Sequence, residues 1–306
     1  MDVLSSILKV TRLEAIVCST SMLKGPWGLD VAQTGEARFY RLIKGSCIVS
    51  LYNDQPVTMG EGDMVYIPHG DPHWIADSAA SRRVTINEYV RSQTAGTPFF
   101  SGPEPETILA AGHFSYNEEG THPFLKDLPP IIHIRGYGTL HHQFLQHTGY
   151  VIHTESDHEK PGSQMMLKSL AEMLFVSVIR TYIEQSVPET GFLAALNDSQ
   201  ISKALSIMHN DPAQDWTLQS LAKSVAMSRS VFAGRFKSLV GETPLSYLTN
   251  WRINRAKELL IAEKINVSDV AFKVGYQSEA AFNRVFKART GKTPAMYRRI
   301  GLEGIA

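Results

Sequence analysis

Two stretches in the last third of this 306-residue chain are written on one skeleton. LAKSVAMSRSVFAGRFKSLVGETPLSY (221–247) and VAFKVGYQSEAAFNRVFKARTGKTPAMY (270–297) both pass through a hydrophobic residue and Ala, a Val, Phe-x-x-x-Phe-Lys, Gly-x-Thr-Pro and a closing Tyr. The offset is 49 residues from Ala222 to Ala271 and 50 from Phe232 to Phe282, so the turn of the second copy holds one more residue. Repetition of this kind means one supersecondary unit used twice, each copy burying the same apolar positions.

Local signals make each copy two helices around a tight turn. In the first, Thr217 can cap TLQSLAKSV, Ala226 and Met227 make the turn, and Ser228 caps a helix that runs to Val240 and stops at Gly241. In the second, VSDVAFKV ends at Gly275, the residue best able to take a positive φ, and Ser278 opens a helix stopped by Gly291. Helical periodicity puts Phe232, Phe236 and Leu239 on the core side of the first long helix, and Phe282, Phe286 and Val285 on that of the second. The opposite faces carry Arg229, Ser230, Ala233, Gly234 and Lys237 in the first, and Glu279, Ala280, Asn283, Arg284 and Lys287 in the second. Side chains that enter a major groove must come from those faces. Pro244 and Pro294 each suit the start of a further helix. LSYLTNWRINRAKELLIAE then runs without a breaker to about Glu263, a spacer that lets both long helices address one face of DNA about a helical turn apart.

With these residues in view, the segment from about Ile201 to Arg299 resembles the AraC/XylS family of bacterial transcription regulators, and AFKVGYQSEAAFNRVFKARTGKTPAMYRR resembles the family signature nearly end to end. The resemblance implies a sequence-specific DNA-binding regulator whose base-reading positions fall on Ser230, Ala233 and Gly234, and on Glu279, Ala280, Asn283 and Arg284. Ala233 and Gly234 offer no hydrogen-bonding side chain. The first helix is therefore expected to contribute phosphate contacts through Arg229 and Lys237, and the second to do more of the discrimination. Promoter DNA is the implied partner, with RNA polymerase a second one if the protein is an activator.

The overall net charge of zero conceals a division. Residues 200–306 hold 16 Lys and Arg against 8 Asp and Glu, leaving 14 against 22 before them, and ten of the eleven histidines lie in the acidic part. A basic module of this size fits a partner made of phosphates. The start, MDVLSSILKVTRLEA, lacks the basic-then-apolar order of a signal peptide, and no window approaches the ~18 apolar residues of a membrane span. A cytoplasmic protein with no membrane partner is expected. Two cysteines, Cys18 and Cys47, are too few for a disulfide framework.

The amino-terminal half reads as β-structure. RFYRLI, CIVSLY, PVTM and MVYI alternate with turn-forming clusters between Ala37 and Trp74, and RRVTINEYV at 82–90 reads as another strand. GDMVYIPHGDPHW (62–74) is similar to the second half of a cupin motif, with His73 at its last position, and the start of the chain, GPWGLD and PGSQMMLKSLAEMLFVSVIRTYIE resemble cupin-type sensor domains joined to these regulators. That implies a barrel pocket for a small-molecule effector, with Trp27 and His73 bordering it. From Gly162 to Gln185, Leu167, Leu170, Leu174, Val178 and Tyr182 mark one amphipathic helix, widened by Met173 and Ile179, wide enough to pack on a second subunit in a homodimer. SVPETG then breaks it.

The expected fold is α+β in two domains: a cupin-like β-barrel with a helical appendix (1–190), a linker (191–200), and an all-α domain with two helix-turn-helix units (201–300). The effector-controlled regulator has two alternatives, a redox sensor using Cys18 and Cys47, and a metal-dependent cupin enzyme fused to a DNA-binding domain. The second is opposed by the lack of histidine in GLDVAQTGEARFYRLIKG, where a His-x-His ligand pair should stand, and by the Pro-Gly turn between His69 and His73. His141, His142, His147 and His153 keep a metal site elsewhere conceivable; no enzyme activity, metal or other cofactor is expected.

Overall fold

The structure is a computed structural model that describes the chain except residues 1, 12–13, 53, 98, 101, 103–105, 116–121, 137–147, 149–150, 152–154, 156–159, 187–189, 263–264 and 304–306. His141, His142, His147 and His153 lie outside the described residues, as does the side chain of Cys18. Contacts divide the chain into two units, one of Leu13–Tyr116 and Leu128–Ser186, the other of Met1–Arg12, Asn117–Asp127 and Val187–Ala306.

The first unit holds two five-stranded sheets. One runs β1 (Glu14–Lys24), β9 (Glu106–Ser115), β3 (Ala37–Lys44), β6 (Met64–Ile67) and β10 (Ile132–Ile134); the other runs β5 (Val57–Met59), β4 (Cys47–Leu51), β7 (His73–Ala76), β2 (Gly28–Val31) and β8 (Val84–Thr85). Among the described residues, only β2 and β8 pair in parallel. Period-2 alternation sorts the side chains. Tyr40, Leu42, Val65 and Ile67 join Trp27, Val49, Met59, Ile75 and Leu109 in a core between the sheets. Phe39, Tyr66 and Phe114 point the other way; Tyr66 and Phe114 meet Phe175 of the helix α4 (Ser163–Ser186), and Phe39 packs on Phe114, with ring centroids 5.2–5.9 Å apart. Both faces of β6 are thus covered, which is why all four of its residues are buried and its sequence does not alternate.

Two sequence expectations need correction here. RRVTINEYV is a strand for only Val84–Thr85, and from Ile86 it is the helix α2 (Ile86–Thr94). The reason is a capping box: the Thr85 hydroxyl accepts from the Glu88 N–H, and the Glu88 carboxylate accepts from the Thr85 N–H at 2.9 Å, which outweighs the β-branched run before it. On α4, Met173 belongs to the outside: Leu167, Ala171, Leu174, Phe175, Val178 and Ile179 form the buried stripe, and Met165, Met166 and Met173 are exposed.

The second unit is helical. It comprises α1 (Val3–Thr11), α3 (Pro123–Lys126), α5 (Gly191–Asn197), α6 (Ser199–Asn210), α7 (Leu218–Ser224), α8 (Arg229–Val240), α9 (Pro244–Ala262), α10 (Val267–Lys273), α11 (Glu279–Thr290) and α12 (Pro294–Glu303). α1 packs on α6 and α9, and α5 on α6 and α8. The stretch 191–200, expected as a linker, is folded. Phe192 and Ala195 are fully buried, the Phe192 N–H donates to the Asp127 carboxylate at 2.7 Å, and Asp198 caps α6 by accepting from the Gln200 and Ile201 N–H groups.

Candidate nucleic-acid interface

Each repeat forms two short helices and a turn. Thr217 caps α7, accepting from the Ser220 N–H at 3.0 Å, and Ser228 caps α8. Asn266 caps α10, and Ser278 caps α11 through the Ala281 N–H at 3.2 Å. Both long helices end at a glycine in the left-handed region, Gly241 (φ +86°) and Gly291 (φ +73°), each donating its N–H back one turn, to Lys237 O and Lys287 O.

The turns differ. The first places Ala226 at φ +55°, the second Gly275 at φ +90°. A Cβ on Gly275 would meet the Ala213 Cα at 2.7 Å and the Ala213 carbonyl oxygen at 2.8 Å, so the second turn needs glycine for space as well as for conformation. The Ala213 loop is itself pinned to α9, because the Arg252 guanidinium donates to Pro212 O at 2.7 Å and Gln214 O at 2.8 Å.

The buried stripes fall where the periodicity put them. Phe232, Phe236, Phe282 and Phe286 are fully buried, with Val240 completing the first stripe and Leu239 half-buried beside it. On the opposite faces Arg229, Ser230, Gly234 and Lys237 of α8 are exposed and Ala233 is half-buried; Glu279, Ala280, Arg284 and Lys287 of α11 are exposed. Asn283 is half-buried, and its Oδ1 has no hydrogen-bond partner among the described residues. A two-bond contact of Asn283 with adenine therefore requires the amide to turn outward.

α9 joins the two helix-turn-helix repeats. Its 19 residues span ~28 Å at 1.5 Å per residue, close to the ~34 Å pitch of B-form DNA. A polar brace beneath the first repeat was not anticipated. The Arg235 guanidinium pairs with the Asp198 carboxylate at 2.5 Å, tying α8 to the cap of α6. The Tyr247 hydroxyl lies 3.0 Å from His122 Nε2 and 2.6 Å from His209 Nε2, all three buried. Burial holds the His122 imidazole down at about 3 and lowers that of His209 well below the usual range, so both are neutral. The Asn-Asp-Ser of 197–199 was a capping signal that could have been read; the pairing of Tyr247 with histidines 38 and 125 residues away carried no local signal.

In the sheet unit, Trp27 and His73 are both fully buried. The Trp27 indole N–H donates to Thr107 Oγ1 at 3.2 Å. His73 Nδ1–H donates to Asp71 O at 2.7 Å, leaving Nε2 to accept from the Tyr40 hydroxyl at 2.7 Å, and burial pushes its imidazole down to about 4. Both imidazole nitrogens are thus occupied. His69 is likewise bonded through Nε2 to Leu128 O at 2.8 Å. Cys47 is buried against Met59, and burial together with Asp63 pushes its thiol up to about 12, so it packs as a small apolar residue and is a poor nucleophile.

Among the described residues, no helix is long and apolar enough to cross a membrane. A family described as Cupin matches residues 2–184, and one described as Helix-turn-helix domain matches residues 221–300. The HTH-type transcriptional regulator AlkR of Acinetobacter baylyi is 30% identical over 318 residues, covering 98% of this chain and 99% of its own. A protein of Streptomyces antibioticus named as an AraC-like transcription regulator is 29% identical over 302 residues, covering 98% and 99%. Among solved structures, the DNA-binding domain of AdpA in complex with a target DNA is 30% identical, covers 32% of this chain and 89% of that one, and superposes with a TM-score of 0.32.

Proposed function

We infer, from the premise that this chain belongs to the AraC-like family of helix-turn-helix transcription regulators with an amino-terminal cupin domain, that α11 reads bases while α8 mainly grips phosphates. The observation that carries this is the contrast between two equally exposed faces on one skeleton. α11 presents Glu279, Ala280, Arg284 and Lys287 around Asn283, whereas α8 presents Arg229 and Lys237 around Ser230, Ala233 and Gly234. A guanidinium at Arg284 can pair with both acceptors of a guanine edge, and alanine and glycine bring backbone close to DNA without specifying a base. Residues 201–300 are the DNA-binding part on this reading, 191–200 the connection and 1–190 the sensor. The cupin domain takes a small-molecule effector felt through Trp27 and His73, and exposed Met165, Met166 and Met173 of α4 face a second copy. Effector binding shifts the population competent to bind promoter DNA, and RNA polymerase is the further partner where transcription is activated.

The test is selection of binding sites from random DNA by the full chain. Recovery of two conserved blocks about one helical turn apart, one markedly richer in information than the other, is expected. Failure to enrich any sequence, or two blocks of equal information, overturns the assignment.

A further inference from the structure

We propose that Asp198 and Arg235 are positioning residues for DNA recognition: their ion pair holds α8 from behind and so seats Arg229 and Lys237 against the phosphates. The proposal rests on the reading that α8 grips phosphates, and deepens it. At ~100° per residue, Arg235 stands ~160° round the helix from Lys237, on the side away from the DNA-facing stripe. Half of the Arg235 side chain is exposed, yet its guanidinium is directed to a carboxylate of its own unit. Its place is that of a tether, not of a DNA contact.

The carboxylate is fixed before the pair forms. The Asp198 backbone N–H donates to Ala194 O at 3.0 Å and closes α5, while Asp198 Oδ1 accepts the Gln200 and Ile201 N–H groups at 3.0 and 2.9 Å and opens α6. Oδ2 is left to meet the Arg235 guanidinium at 2.5 Å, with the Asp198 side chain only 7% exposed. An ion pair ordinarily loses much of its worth in ordering two side chains, and here the cost falls on Arg235 alone. The pair forms in an open groove between α5 and α8 that is otherwise lined by Ala194, Asn197, Gly234, Ser238 and Leu239, mostly small or polar residues. Among the described residues, Arg235 is the one α8 side chain with an ion pair or hydrogen bond beyond its own helix and cap.

The second repeat shows the other solution at the same position. Arg235 precedes Phe236 as Val285 precedes Phe286, and Val285 packs on the core of its own repeat. α11 is therefore seated by apolar contacts inside its repeat, whereas α8 carries a charge that reaches back to the segment before its repeat. The orientation of the phosphate-gripping helix then depends on a residue, Asp198, that lies outside both helix-turn-helix units.

Fluorescence anisotropy of the full chain on random-sequence duplex DNA, over a range of salt, tests this independently of base reading by α11. Asp198→Asn leaves one oxygen, which cannot serve both the α6 cap and the guanidinium, and it makes the protein more cationic. Added positive charge by itself strengthens binding to DNA, whereas a displaced α8 should weaken it about fivefold at ~0.15 M salt, the share of one phosphate contact. Arg235→Met keeps the cap and the stem, should weaken binding by a similar factor, and carries the test if Asp198→Asn does not fold. Lys237→Ala separates position from plain loss of stability: alone it should cost about fivefold, and in either variant less than about twofold, because its ammonium no longer reaches the phosphate. Wild-type or tighter binding by Asp198→Asn, or a Lys237→Ala loss undiminished in the folded variants, overturns the positioning role alone. Wild-type binding by Lys237→Ala itself overturns the phosphate grip of α8, and the positioning role with it.

Discussion

The two helix-turn-helix units share a skeleton and are supported differently. The second is closed by its own residues and the spacer: Val270, Ala271, Val274, Phe282, Phe286 and Tyr297 pack with Ile253, Ala256 and Leu260 of α9, and its closing Tyr297 sits against Phe286 and Lys257. The first leans on segments outside the repeat. Its closing Tyr247 is held between His122 and His209, and α8 is tied to Asp198 and packs on α5. One repeat position, tyrosine in both copies, thus sits against Phe286 and Lys257 in one repeat and at the centre of a histidine relay in the other. The copy with the poorer groove-facing side chains is the one bound to the rest of its unit, which fits a division between holding and reading.

The sharpest way to break this comparison is at the turns. Gly275→Ala must accept φ +90° and a Cβ 2.7 Å from a backbone carbon that Arg252 holds in place, so it should destabilise the helical unit by ~3 kcal/mol or more. Chemical denaturation of the full chain measures it. A loss under ~1 kcal/mol means that the Ala213 loop yields and the close approach is not a constraint.

Acid separates the units next. His122 is neutral in the fold and titrates near 6.5 when unfolded, so the unfolded state binds the proton first; its contribution is complete above about pH 6.5 and is lost as pH falls toward about 3. Between pH 7 and pH 5 this amounts to about 2 kcal/mol, with His209 adding in the same direction. His73 of the sheet unit, held down to about 4 by burial, adds a loss over the same range, so the part that His122→Phe removes is what belongs to the first repeat. Stability measured at pH 7, 6 and 5 should fall accordingly, and His122→Phe should flatten the slope by about one proton. An unchanged stability at pH 5 refutes the buried neutral relay.

The contrast between the units also marks what the sequence could tell. Caps, turns and terminating glycines of both repeats were legible because each is decided within four residues, as at Ser228 and Gly241 or Ser278 and Gly291. The face assignment followed from period alone. RRVTINEYV misled because three β-branched residues, Val84, Thr85 and Ile86, run through the start of a capping box whose second member, Glu88, decides the matter. The brace of the first unit was invisible for another reason: His122 and His209 reach Tyr247 across 125 and 38 residues, and no periodicity connects them. In the sheet unit, Trp27 and His73 were picked out as the kinds of residue that line pockets, and the structure places both deep in the core with their polar atoms satisfied.

On DNA, the comparison predicts unlike mutants. Arg284→Ala should lower affinity by ~1 to 3 kcal/mol and flatten preference at one base position, whereas Lys237→Ala should weaken all sequences alike and reduce the salt slope by about one. Site selection with each variant, at two salt concentrations, separates them. Recovery of an undiminished consensus by Arg284→Ala removes base reading from this residue.

The smallest effect expected is at the other turn. Ala226 is exposed and adopts φ +55°, a conformation that costs an L-residue ~1 to 2 kcal/mol and glycine nothing. Replacing it with glycine relieves that strain and loses no packing, but it also frees the unfolded chain, which returns ~0.4 to 1 kcal/mol of the gain. Ala226→Gly should therefore leave stability unchanged or raise it by up to ~1 kcal/mol, the reverse of Gly275→Ala. Urea midpoints for the two variants measured side by side check the sign of each. If Ala226→Gly instead destabilises by ~1 kcal/mol, backbone strain is not what distinguishes the turns, and the methyl of Ala226 must be making a contact that its exposure does not reveal.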